Sequence, residues 1–150
     1  MIVSHRNQQG FTLVEISITL GIFAIIATFS LLASMDFWRS YSFRSERNLV
    51  VGILQKARSQ SLSNINQIAH GVHIEPYQYV IFEGGVYTPG DPNNEIHQAN
   101  PSVNHSGMTE VLFDQLSGNA HVTLGALILD QGSSQSIISI NDEGQIDWTN

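Results

Sequence analysis

At 150 residues, 42% hydrophobic and only 13% charged, the chain can form one small domain plus an appended element and is too apolar to stay disordered. It has no cysteine, which excludes disulfides, thiolate metal sites and a cysteine nucleophile. The net charge of −7 is unevenly spread: Arg6, Arg39, Arg44, Arg47, Lys56 and Arg58 are the only fixed cations, and the ten carboxylates after residue 70 have none among them, so a phosphate-binding surface there would work against its own field.

Residues 1–10 are polar with one arginine, Arg6, and the next 23, FTLVEISITLGIFAIIATFSLLA, hold a single charge, Glu15. At about 1.5 Å per residue such a helix spans roughly 34 Å, enough to cross a hydrocarbon core about 30 Å thick. A secretory signal peptide competes with this reading, but it needs small residues after the apolar run, and Leu32-Ala33-Ser34-Met35 supplies a poor site. An ordinary single-pass anchor is the other competitor. It leaves Glu15 without a purpose, although a carboxylate deep in a bilayer costs on the order of 3 kcal/mol.

Gly10-Phe11-Thr12-Leu13-Val14-Glu15 resembles the type IV prepilin signature. The resemblance implies that a membrane aspartic prepilin peptidase cuts after Gly10, that Phe11 becomes the mature N-terminus and is N-methylated, and that Glu15 pairs with a subunit's terminal amine during assembly. Physical chemistry agrees, because cleavage creates an ammonium that gives the costly carboxylate a partner. The plainer alternative is that Glu15 snorkels to the interface. The family places the leader in the cytoplasm and the head outside it. Counting arginines does not support that orientation, since Arg39, Arg44 and Arg47 outnumber Arg6.

From Asp36 the sequence turns mixed without proline, and Val50, Ile53, Leu54 and Ala57 recur at helical spacing with Gln55, Arg58 and Ser59 on the other side. The pattern predicts one helix from 11 to about 63, apolar first and amphipathic after. Phe37, Trp38, Tyr41 and Phe43 fit an interfacial aromatic belt or core packing equally well.

Beyond residue 64 the pattern is β. Strands are expected at 71–75, 77–82, 110–114, 121–130, 135–141 and 145–148, with Asn141-Asp142-Glu143-Gly144 as a hairpin turn. The stretch 88–107, rich in Pro, Gly, Asn and His, reads as a long surface loop. The expected fold is α+β and pilin-like: a long N-terminal helix, its first half transmembrane, packed on a C-terminal antiparallel β-sheet domain. The expected division is a leader at 1–10, a transmembrane and assembly helix at 11–35, its amphipathic continuation at 36–63, and a β-rich head at 64–150.

LQKARSQSLSN, GVHI, YVIFEG, VLFDQLSG and ISINDEGQIDW together look like the H-type minor pseudopilins of type II secretion and the FimT-type minor pilins. The absence of a cysteine pair and of a proline in the apolar helix favours a minor pilin or pseudopilin over a major pilin. The implied partners are prepilin peptidase, other pilin or pseudopilin subunits and the cytoplasmic membrane. The alternative function is that of a FimT-type DNA-uptake minor pilin; in that family the contact arginines lie near the C-terminus, and residues 141–150 have none, so that site is not carried over and DNA binding is not expected.

No catalytic, cofactor or metal constellation stands out. His70 and His73 are three apart in an expected strand and so point to opposite faces. Asp91-Pro92-Asn93-Asn94-Glu95 offers oxygen ligands without a recognisable calcium-loop spacing. Neither a nucleophile elbow nor a phosphate-binding glycine loop is present.

Overall fold

The computed structural model describes residues 10–150 except Leu124, and at 31–36 the backbone alone. Of the expected leader at residues 1–10, residues 1–9 lie outside this range. The chain divides after Arg39 into two units, the second running from Ser40 to Asn150.

One helix, α1 (Leu13–Leu62), runs for 50 residues. It starts where Thr12 caps it and ends where Asn64 adopts the left-handed conformation, φ 53°, that asparagine tolerates just past a helix end. In the first unit its described side chains are exposed throughout, among them Ile18, Ile22, Phe23, Ile26 and Phe29. In the second unit it is one-faced: Val50, Ile53, Leu54 and Ala57 are buried as the spacing predicts. Phe43 joins that core, whereas Phe37, Trp38 and Tyr41 are exposed.

Among the described residues nine strands follow: β1 (His70–Glu75), β2 (Gln78–Glu83), β3 (Glu95–Gln98), β4 (Asn104–Gly107), β5 (Glu110–Phe113), β6 (Ala120–Thr123), β7 (Ala126–Gln131), β8 (Ser134–Ile140) and β9 (Ile146–Thr149). They form two antiparallel sheets, ordered β3-β2-β1-β5-β6 and β4-β7-β8-β9. Val72, Ile74, Tyr79, Ile81, Val111 and Phe113 of the first sheet, and Leu127, Leu129, Ile138 and Ile140 of the second, share one core with the buried helix face. Apolar burial of this kind contributes roughly 25 cal/mol per Å² removed from water and is the main force joining helix to sheets.

Two expectations need correction. The stretch 88–107 is not all loop, since it contains β3 and β4. Each is short, polar and paired on one side only, at a sheet edge, so its pairing comes from backbone groups and its side chains carry little hydrophobic signal. The segment 121–130 is not one strand. It splits into β6 and β7 in different sheets, with Gly125 at φ 56° in the corner, a conformation glycine adopts without steric cost.

The first sheet is covered on both faces. Opposite the core, Val80 and Phe82 are buried, and Tyr87 stacks on His73 at 4.1 Å, lies 5.8 Å from the Phe82 ring, and donates to Glu75 Oε1 at 2.9 Å. Gly71 makes room for this second layer, because a Cβ there would come within 2.3 Å of the Phe82 ring. At the far end of α1, fully buried Ser61 donates to Phe113 O at 2.9 Å and accepts from His70 N at 2.8 Å, tying the helix to β1 and β5.

Candidate functional site

The sequence directs attention to Gly10, Phe11 and Glu15. All three are exposed at the entrance to α1, with Phe11 82% accessible. Thr12 is the residue that organises them. Its carbonyl accepts the first helical hydrogen bond, from Ile16 N at 3.2 Å. Its hydroxyl oxygen accepts from Glu15 N at 3.2 Å, while Glu15 Oε2 accepts from Thr12 N and from the Thr12 hydroxyl, both at 3.3 Å. This reciprocal arrangement is a capping box, worth about 1 kcal/mol to the helix end. A carboxylate in the first turn also faces the positive end of the helix dipole. The Thr-x-x-Glu spacing could have revealed this from the sequence, and it supplies a local reason for Glu15 besides any partner.

The apolar segment handles its other polar groups internally. Ser17, Thr19, Thr28 and Ser30 each donate their hydroxyl to the carbonyl four residues back, at 2.7–2.9 Å. None of these hydroxyls needs water, so the surface from Leu13 to Ser30 suits lipid. That segment is a helix long and apolar enough to cross a membrane, and none of it is buried.

In the head, the other sequence candidates lie apart from one another. His70 is buried with Nε2 3.7 Å from Glu83, and His73 faces the opposite side with Nδ1 2.9 Å from Glu110. Asp91 Oδ1 accepts from Asn93 N in a turn, and Glu95 pairs with Lys56 at 2.5 Å. That pairing, together with desolvation that opposes it and a further contribution from His97, leaves the Glu95 carboxyl below its ordinary value. Among the described residues no group of three or more His, Asp or Glu side chains converges as a metal site would require.

The sequence did not single out a buried polar cluster in the head. Glu46, 4% exposed on α1, accepts from the Tyr79 hydroxyl at 2.6 Å and from Asn100 N at 3.1 Å, and His105 Nε2 lies 3.4 Å away and contacts the same hydroxyl. Burial opposes charge on Glu46, but the hydrogen bonds from His105, Tyr79 and Asn100 outweigh it and hold the carboxyl below its usual range. Burial and the neighbouring carboxylate push the Tyr79 hydroxyl far up, so it stays a donor. The cluster joins α1 to β2 and β4.

Comparison with known proteins bears on the N-terminus. Residues 5–31 match the family model described as the prokaryotic N-terminal methylation motif, which spans the Gly10–Glu15 hexapeptide and most of the apolar segment. No curated protein and no solved structure matches the chain. The motif supports a type IV pilin-like subunit and implies processing by prepilin peptidase and assembly with other pilins.

Proposed function

We propose that the chain is a minor pilin or pseudopilin of the H-type or FimT-type, a structural subunit of a type II secretion pseudopilus or a type IV pilus. Residues 1–10 are its leader, 11–35 its membrane and assembly helix, 36–63 the amphipathic continuation and 64–150 the head. The observation that carries the reading is the coincidence of the methylation motif with a helix entrance built around a carboxylate in an otherwise lipid-compatible segment. Cleavage between Gly10 and Phe11 would place a new ammonium one residue from Thr12. Methylation of that amine keeps its positive charge. Glu15 then has two uses, the cap of its own helix and a counter-charge for a terminal amine, its own or a neighbour's.

The two uses separate experimentally. Glu15→Gln preserves the capping hydrogen bonds, because glutamine also serves in a capping box, but removes the charge. The variant should be cleaved and inserted normally, with a mature N-terminus at Phe11 by mass spectrometry, yet be lost from sheared filaments. Normal incorporation would reduce Glu15 to a cap, and an intact Met1 in the wild-type chain would remove the prepilin reading.

A further inference from the structure

Two arginines on α1 lack a charged partner. Lys56 pairs with Glu95, and Arg58 donates to the carbonyls of Gly118 at 3.4 Å and Glu143 at 2.9 Å. Arg47 donates to side-chain amide oxygens, Asn150 Oδ1 at 2.6 Å and Asn48 Oδ1 at 3.3 Å, and its Nε is buried without a hydrogen-bond partner among the described residues. Arg44 is exposed three residues earlier, at a spacing that makes the two neighbours on the helix surface. No ion pair joins either guanidinium to an acidic group among the described residues.

The pair lines a cleft of about 410 Å³ together with Ser40 of the same helix and with Ser133, Ser134 and Gln135 where β7 turns into β8. No aspartate or glutamate side chain lines it, and Asp130, opposite Gln135 in the β7–β8 register, lies outside the lining. Guanidinium, hydroxyl and amide groups are all hydrogen-bond donors, so the cleft suits an anion that presents several oxygens. A phosphate oxygen bonds a guanidinium roughly twice as strongly as a neutral acceptor does, enough to displace the Asn150 amide from Arg47.

Chain length decides which anion arrives. Ser40 follows Ala33, the last residue of the apolar run, by seven positions, and seven residues reach no more than about 25 Å even when fully extended. The segment Leu13–Ser30 is long and apolar enough to cross a membrane, and a bilayer places its phosphate-bearing headgroups at the ends of such a segment. So short a tether holds headgroups at the cleft at an effective concentration in the millimolar range, which no untethered anion shares. Trp148 points the same way. Its half-exposed ring lies 5.8 Å from the Arg47 guanidinium, and indoles beside arginines are the side chains that settle at headgroup level.

We propose that the Arg44–Arg47 cleft binds the phosphodiester headgroup of an anionic phospholipid, so that the head docks on the bilayer that holds its own helix. A net-negative headgroup is favoured over a zwitterionic one because it brings no ammonium to oppose the two guanidiniums. The proposal goes beyond the filament reading and needs only that the apolar segment enters a membrane.

The test uses the full chain in lipid nanodiscs, either of phosphatidylcholine alone or of phosphatidylcholine and phosphatidylglycerol in equal parts. Phenylglyoxal labelling of each arginine is followed by mass spectrometry. Arg44 and Arg47 should be labelled about tenfold more slowly in the anionic discs. Arg58, held on backbone carbonyls, should be labelled alike in both and so reports an intact head. Ser133→Glu puts a carboxylate into the cleft and should abolish the protection, whereas Thr88→Glu, on an exposed loop outside the lining, should leave it. Equal labelling in the two discs overturns the proposal. Protection that survives Ser133→Glu also overturns it, by reducing the effect to general attraction to a charged surface. Equal protection by inorganic phosphate in neutral discs reassigns the cleft to a soluble anion, and protection confined to native membranes reassigns it to a partner protein's carboxylates. A chain that does not co-elute with either disc overturns the membrane reading itself, an outcome distinct from a chain that enters the discs unprotected.

Discussion

The two stretches of α1 share a secondary structure and differ in what surrounds them. From Leu13 to Ser30 every side chain is exposed and the hydroxyls are satisfied within the helix, so this helix is suited to an apolar solvent. Between Phe43 and Ser61 the protein itself supplies the apolar partner, and the polar groups that enter the core, Glu46 and Ser61, are bonded to strands rather than to their own helix. Helix formation alone thus explains neither region. Each is stabilised by the medium that its pattern of apolar and polar side chains selects.

The sharpest test of that contrast is a matched pair of truncations. Leu54→Ala opens a cavity beneath both sheets and should cost the head about 2–5 kcal/mol, read as a lower denaturation midpoint in detergent solution. Ile22→Ala, on the exposed stretch, should leave that midpoint unchanged. Equal losses would mean that the apolar stretch packs into the head and would collapse the distinction.

Glu46 provides a smaller, pH-dependent effect. Glu46→Ala strands the Tyr79 hydroxyl and Asn100 N in the core and should cost roughly 2–4 kcal/mol near neutral pH. The Glu46 carboxyl titrates lower in the folded than in the unfolded chain. Its charge therefore stabilises the head fully above the ordinary value of 4.5 and loses that contribution as pH falls through the folded value. The gap between wild type and Glu46→Gln should narrow below about pH 4. A constant gap down to pH 3 would show that the charge on Glu46 is not what matters.

The smallest expected signal is DNA binding by the full chain. Lys56 pairs with Glu95, Arg47 and Arg58 donate to oxygens within the fold, and the ten carboxylates after residue 70 repel a phosphate backbone. Titration with labelled duplex at two salt concentrations should show binding no tighter than the micromolar range. Submicromolar, steeply salt-dependent binding would promote a DNA-uptake role.

Local pattern carried the reading of α1, because 3.6-residue periodicity and a 23-residue apolar run depend on neighbours close in the chain. The same holds for β1, β2, β5, β8 and β9, whose apolar or alternating residues show within each strand. The capping box at Thr12 and Glu15 was equally local, a four-residue spacing visible to anyone looking for it. Edge strands β3 and β4 were not legible, because an edge pairs through backbone N–H and C=O groups that every residue has. Nor was the division into two sheets, which turns on a left-handed Gly125 and on which partner each strand meets. Glu46, Tyr79, Asn100 and His105 are up to 59 residues apart in sequence and come together only when α1 lies across both sheets. The Lys56–Glu95 pair belongs to the same class: each charge can be counted in the sequence, but only the tertiary structure decides which of them are already neutralised, because pairing depends on distance in space.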